Sequence, residues 1–331
     1  MRLAELATDY SPGEWRAVLF EDGEPVSLHI GRTGRATLGS VHEARILSNH
    51  ASGAFVDLGG GEEALLSPAP KLAEGASVRV DIIREAIAAP GELKLAMARV
   101  SDAAVSQLTN AQTWDARMAA LGATPVRAAS LDDHFDIAFA GRRDIAGGTI
   151  WFERTKAGLV FDVDGTGDAS AVNLAAAREV ARLLRLFGVG GSAMIDFIST
   201  DNKAARLAIG AAFDEAAAAD PRPFERTAVN GYGLMQVVRA KRQPSILDTL
   251  FGARRVSASD ETQMLQLLRD AARSTGFGAR QIVTRPALAT QLGSPGWQPL
   301  VDEAARIIGA PLEIVAEAGI TGYGHVHVSQ S

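Results

Sequence analysis

Residues 158–198, GLVFDVDGTGDASAVNLAAAREVARLLRLFGVGGSAMIDFI, decide the fold. The stretch opens on GLVFDV, an apolar run of buried-strand type, and passes through a glycine-containing turn. From about Ala169 to Phe187 its apolar residues then recur at helical spacing. A second strand, SAMIDFI, follows directly. Two strands joined by a helix of this length form a β-α-β unit. Parallel neighbours need such a crossover, so the unit demands a parallel or mixed sheet covered by helices. The expected class is α/β, in the α+β multi-domain sense.

Working outward, a helix from about residue 201 to 219 starts behind Ser199 and Thr200 as caps and stops before Asp220-Pro221. The strand GLMQVVRA then completes the sheet region. From Ser257 to Ser331 the order is helix, strand (QIVTR), two helices, and strands LEIVAE and HVHVSQ, a small C-terminal α/β domain. Toward the N-terminus, the Gly-Gly pair of GGTIWFE introduces another apolar strand, and polar, Ala-rich helical sequence fills the stretch from Val100 to Leu121. Between Gly39 and Val100 the runs VHEARIL, GAFVDLG, EALLSP, SVRVDIIRE and ELKLAMARV are separated by Gly- and Pro-containing turns. Five such strands suit a small barrel of the OB type. WRAVLFEDGEPVSLHIG reads as a hairpin turning at Asp22-Gly23. No internal repeat or low-complexity tract is present.

At 331 residues the chain has room for two or three domains. With 47% hydrophobic and 22% charged residues, neither wholesale disorder nor a fibrous architecture is expected. Cysteine is absent, which removes disulfides, cysteine-ligated zinc and a thiol nucleophile at once. The start, MRLAELATDYSPGEW, has no basic segment followed by an apolar run, and no stretch of about 20 apolar residues occurs. Cytoplasmic residence is the expectation. A net charge of -6 runs against a nucleic-acid partner. A local field can oppose net charge, however, and Arg178, Arg182, Arg185, Arg239, Lys241 and Arg242 flank the acidic candidates along the chain.

Those candidates are Asp162, Asp164 and Asp196. Asp162 ends one strand of the β-α-β unit and Asp196 belongs to the next, and catalytic groups of open α/β sheets collect at the carboxyl ends of strands. Asp162 and Asp164 point the same way under the two-residue strand period. The three make a hard oxygen set suited to Mg²⁺, which takes one or two carboxylates plus waters and phosphate oxygens. On spacing alone an Asx-turn that ends the strand at Asp-x-Asp-Gly is the commoner reading. For Asp196 in MIDFI the apolar context argues for a cation or donors, because an unpaired buried carboxylate is costly. The glycine clusters at 165–167 and 188–191 read as turns and a helix C-cap, since neither has the order of a nucleotide-binding loop. His325 and His327 share a strand face without a third metal ligand, and His134 lies among acids at a helix start. No serine occupies a Gly-x-Ser-x-Gly elbow.

In these segments the chain resembles the ribonuclease E/G family. GAFVDLGGGEEALL at residues 53–66 is similar to the family's S1-type OB-fold signature. GGTIWFERTKAGLVFDVDGTG resembles the Gly-Gly strand, turn and metal-site strand, with Asp162 at the first metal-binding aspartate and Asp164 at its neighbouring Asn or Asp. AAAREVARLLRLFGVGGSAMIDFI resembles the segment whose strand aspartate, here Asp196, is the second ligand. NGYGLMQVVRAKRQPSIL resembles the aromatic-Gly-Leu strand and the basic turn after it, with Arg239, Lys241, Pro244 and Ser245 at matching places.

The resemblance implies an RNase H-like remnant (an N-terminal hairpin at 1–38 and a reduced sensor region at 101–146), an inserted S1-type OB barrel at 39–100 and a DNase I-like catalytic subdomain at 147–250. The resemblance assigns no role to the small α/β domain at 251–331. It further implies Mg²⁺, with Mn²⁺ as an alternative ion, held by Asp162 and Asp196. Asp164 is catalytic beside them, and cleavage of single-stranded RNA leaves 5′-phosphate and 3′-hydroxyl ends. RNA contacts fall to Phe55, Arg239, Lys241 and Arg242, although a barrel-core role for Phe55 stays open. The family's Cys-Pro-x-Cys zinc link is missing, so no zinc-joined assembly is expected, while a homodimer stays open. Leu65 replaces a second OB aromatic. Only Val126-Arg127-Ala128 echoes the 5′-phosphate pocket, so little dependence on a 5′-monophosphate is expected. A non-catalytic RNA-binding protein of the same descent is the alternative, and a phosphodiesterase acting on DNA or nucleotides a third.

Overall fold

A computed structural model of the chain describes residues 3–102, 110–128 and 130–328. Strands β1 (Ala4–Ser11), β2 (Glu14–Glu21) and β3 (Glu24–Arg32) form an antiparallel sheet. The expected hairpin is its β2–β3 edge. Asp22 and Gly23 both have positive φ, 52° and 84°, the pairing that a two-residue turn needs to match the twist of its strands.

Five strands then close a barrel: β4 (Val41–His50), β5 (Gly53–Asp57), β6 (Glu63–Leu66), β7 (Ser77–Arg84) and β10 (Ala96–Val100), in the order β10-β6-β5-β4-β7. A small hairpin, β8 (Ile87–Ala89) and β9 (Glu92–Lys94), interrupts the chain before closure. The alternation seen in the sequence fills the interior with Ile46, Ala54, Val56, Ala64, Leu66 and Val80. Mixing small with branched residues suits so narrow a barrel.

Helix α1 (Asn110–Ala119), strand β11 (Thr124–Val126) and helix α2 (Asp132–Ala140) lead on, with β11 adding to the first sheet parallel to β1. The part of the expected helix at 103–109 lies outside the described residues, as does the end of the last strand beyond Val328. The central sheet follows: β12 (Arg142–Ile145), β13 (Gly148–Arg154), β14 (Leu159–Gly165), helix α3 (Ala169–Leu186), β15 (Gly191–Asp196), helix α4 (Lys203–Ala217), β16 (Phe224–Arg226) and β17 (Leu234–Arg239). Its order is β12-β13-β14-β15-β17-β16, and β14 with β15 is its parallel pair. Helix α3 thus makes the crossover read from the sequence. Phe161, Val163, Ile195, Met235 and Val237 share one core with α3 and α4, and Ala7, Val18 and Leu28 of the first sheet join it. The other face of the central sheet is left open. Helix α4 is capped by Asn202, not by Ser199 or Thr200: its side chain accepts from the Ala204 and Ala205 amides at 2.9 and 3.3 Å. Ser199 instead donates to the Tyr232 carbonyl.

Helix α5 (Ile246–Phe251) is started by a capping box between Ser245 and Asp248. The rest is a unit with its own core: α6 (Asp260–Arg273), β18 (Arg280–Thr284), α7 (Pro286–Leu292), α8 (Gln298–Ile308), β19 (Leu312–Ala316) and β20 (Gly324–Val328), its sheet ordered β19-β18-β20. An ion network joins this unit to the first sheet. The Glu14 carboxylate, 1% exposed, accepts from Arg16 Nε at 2.8 Å and Arg32 Nε at 3.0 Å, with the Arg269 guanidinium 3.5 Å away. Burial pushes the Glu14 carboxyl up, but Arg32, Arg16 and Arg269 together outweigh it and hold it below the usual range. Among the described residues no helix is long and apolar enough to cross a membrane.

Candidate active site

Asp162 and Asp196 are direct partners in the parallel pairing of β14 with β15. They belong to one row across the sheet, Arg142–Trp151–Asp162–Asp196–Leu234. Phe161, Val163 and Ile195 point into the core, so the two-residue period turns Asp162, Asp164 and Asp196 onto the open face, where all three are exposed. Asp196 is therefore not the buried carboxylate that MIDFI suggests. Met194, the apolar residue that disguises the alternation, also faces outward and is 37% exposed.

Among the described residues, none of the three carboxylates has an ion-pair partner, and neither Asp162 nor Asp164 accepts a nearby backbone amide as an Asx-turn requires. The helix cap that follows is Asp168, which accepts from the Ser170 amide at 3.0 Å. Partial burial and then the charges of Asp164 and Asp196 push the Asp162 carboxyl above the usual aspartate range. Repulsion of this kind marks a place short of positive charge.

Close backbone approaches fix the row. A side chain on Gly148 would put its Cβ 2.3 Å from the Asp164 carbonyl oxygen, so glycine lets β13 run against the end of β14. Gly233, at φ 89°, brings its backbone against Phe197, where a Cβ would lie 2.3 Å from the carbonyl oxygen. Asn173, fully buried on α3, donates to the Ile198 carbonyl at 2.7 Å and accepts from the Ile198 amide at 3.0 Å. It clamps the chain two residues beyond Asp196. A polar residue on the apolar face of a helix is the signal in the sequence that marks it.

The expected RNA contacts part company. Phe55 lies on the outside of the barrel, between the buried Ala54 and Val56, paired across the strands with Leu65 and edge-on to His50 at 5.1 Å. The barrel-core alternative for Phe55 is thus replaced by an outward-facing ring. Arg239 is buried and ion-paired with Asp220, their side chains 5% and 4% exposed, so its guanidinium is committed to the fold. Lys241 Nζ lies 3.0 Å from the buried Asp248 carboxylate. Arg242 is exposed, and its carbonyl accepts from the Glu85 amide at the seam with the barrel. Arg178, Arg182 and Arg185 do not flank the acids in space: they belong to α3, on the covered side of the sheet, where Arg182 pairs with Glu179 and Arg185 with Glu21.

Among the described residues no three acidic or histidine side chains close around one point, His325 and His327 included. An open carboxylate pair with a third acid beside it still fits Mg²⁺, which completes its shell with waters and phosphate oxygens in place of a protein cage. Zinc, which wants a closed tetrahedral set, does not fit.

The family model described as Ribonuclease E/G family matches residues 122–242, the segment that carries all three aspartates. A protein of Arabidopsis thaliana named "Ribonuclease E/G-like protein, chloroplastic" is 30% identical over 111 residues, which are 30% of this chain and 11% of that protein. The match therefore spans a small part of that relative's length. Over the 122–242 segment, then, the chain is similar to the ribonuclease E/G family.

Proposed function

We propose that the chain is a Mg²⁺-dependent endoribonuclease that cuts single-stranded RNA to 5′-phosphate and 3′-hydroxyl ends. The observation that carries the reading is the Asp162–Asp196 register pair on the open sheet face, with the Asp162 carboxyl pushed up by partial burial and by its acidic neighbours. Asp162 and Asp196 would hold the ion, and Asp164 would orient the ion's remaining partners or the attacking water by hydrogen bonding. When bound, Mg²⁺ supplies charge neutralisation at the phosphate and a lowered pKa for the attacking water. The open face leaves room for an extended strand, and the barrel at 39–100 offers the outward Phe55 ring to its bases. Mn²⁺ suits the same oxygen set.

Phe55→Ala is expected to weaken single-stranded RNA binding about 5- to 100-fold, the worth of one stacked base. Its melting temperature should stay near that of wild type, because the ring lies outside the barrel core. Equal melting with unchanged RNA affinity, measured by fluorescence anisotropy, would remove Phe55 from the interface.

The acid cluster also predicts a coupling of pH to metal binding. A carboxylate must be charged to hold the ion, so affinity falls with acidification from a higher pH than an ordinary aspartate would show. In the metal-free protein the raised folded pKa means that Asp162 opposes folding once ionised: its contribution is least unfavourable in acid and worsens as pH rises through the folded value. At neutral pH, Mg²⁺ at tenfold its Kd should raise the melting temperature of wild type by about 2 °C. The Asp162→Asn variant should melt higher without metal and respond little to it. An equal Mg²⁺ response in both proteins would contradict the assignment.

Product ends test the chemistry. Internal cuts whose downstream fragments are ligatable 5′-phosphates support the reading; 2′,3′-cyclic phosphates and 5′-hydroxyls would overturn it. Binding without cutting would point to the non-catalytic RNA-binding alternative, and equal cutting of an all-deoxy strand to a less selective phosphodiesterase.

A further inference from the structure

Beside Asp162 the protein has a cleft of about 490 Å³ lined by Trp151, Val160 and Asp162 from the sheet and by Phe139, Phe251 and Arg255. That volume falls within the range of small-ligand sites. Trp151 is 44% and Phe139 43% exposed, large aromatic surfaces left in water next to the acidic row. Trp151 pairs directly with Asp162 across the strands, and its other neighbour in that row, Arg142, holds its guanidinium 5.7 Å over the ring. Phe139 meets Phe251 edge-on at 5.5 Å.

The cleft is built, not incidental. The Arg154 guanidinium donates to the carbonyls of Ala88, Gly252 and Arg254 at 2.8 to 2.9 Å and to Asp248 at 3.0 Å, which locks the chain leading to Arg255. Arg255 itself lies 3.7 Å from Glu153, with both side chains largely exposed. A pair of that kind contributes little and yields readily to a phosphate.

We infer that this cleft takes the base of a nucleotide flanking the scissile phosphate, stacked against Trp151, with Arg142 and Arg255 neutralising the adjoining phosphates. The inference rests on the ribonuclease reading and deepens it. Every base offers a π face, so an aromatic wall grips single-stranded RNA without reading its sequence. Three carboxylates repel a phosphate backbone, and the two cations beside the aromatic wall are where that backbone gains most. In GGTIWFE this tryptophan reads as one more apolar strand residue; only the open face gives it a partner to seek.

The test places one 2-aminopurine at successive positions of a single-stranded RNA bound to the uncutting Asp196→Asn protein. One position should be quenched severalfold, and adding Trp151→Leu should restore its emission while the melting temperature stays unchanged. In the cutting protein, an abasic residue at that position should slow cleavage about 10-fold, and Trp151→Leu should abolish the difference. Cleavage by wild type with no position-specific quenching, or with an abasic penalty equally large in Trp151→Leu, would overturn the base site and leave the ribonuclease reading standing. Trp151-dependent quenching in a protein that never cuts would uphold the base site while the ribonuclease reading fails. Emission that the protein leaves unchanged at every position, without any cleavage, would defeat both.

Discussion

Asp196→Asn is expected to lower Mg²⁺-dependent RNA cleavage by about three orders of magnitude or more, the several kcal/mol of transition-state stabilisation that a metal centre supplies. The change is nearly isosteric and falls on an exposed position of β15, so the fold has no reason to respond. RNA affinity should survive. In EDTA it should rise, because one of three carboxylates that repel the phosphate backbone is gone. Rate and affinity thus move in opposite directions, which mere unfolding cannot imitate. Persistent cleavage by a well-folded Asp196→Asn protein would remove the residue from the active site.

Arg239→Ala carries the second large effect, and it is an effect on stability. The Arg239–Asp220 pair is almost fully buried, and removing one partner of such a pair costs about 3–5 kcal/mol because the other charge stays behind unpaired. Burial alone would push the Asp220 carboxyl up. Hydrogen bonding to Arg239, with Arg222 adding its charge, holds it below the usual range instead. A depressed folded pKa means the contribution is complete at neutral pH and is lost as acid protonates Asp220 in the fold. Urea unfolding should show the loss, and the residual folded fraction should bind and cut RNA as wild type does. A variant that melts normally but loses RNA affinity would return Arg239 to the RNA surface.

The sequence made the β-α-β unit legible because both its strands and its helix carry strong local periodicity, and the Asp22-Gly23 hairpin because its turn chemistry is specific. The barrel was legible from five alternating runs in succession. Strands β1 and β11 were not: they pair across more than a hundred residues, and β11 is three residues long with Pro125 in its middle. Helix α5 escaped because six residues are too few for a period, although its Ser245 and Asp248 capping pair was visible.

At the site, Asp162 and Asp196 could be singled out because strand position and residue type suffice to bring them together. Their exposure could not, since outward Met194 makes β15 look buried on both faces. Nor was the burial of Arg239 legible, for its partner Asp220 lies nineteen residues earlier, across the turn and edge strand before β17. Seeing that needed the packed structure.

The most direct measurement is cleavage of a 5′-labelled, A/U-rich single-stranded RNA in Mg²⁺ or in EDTA by wild type and by the Asp162→Asn, Asp196→Asn double variant. Internal cuts by wild type that require Mg²⁺ and vanish in the variant are the predicted result. Intact RNA with wild type in Mg²⁺, or cuts that persist in EDTA or in the double variant, would contradict an aspartate-held magnesium centre.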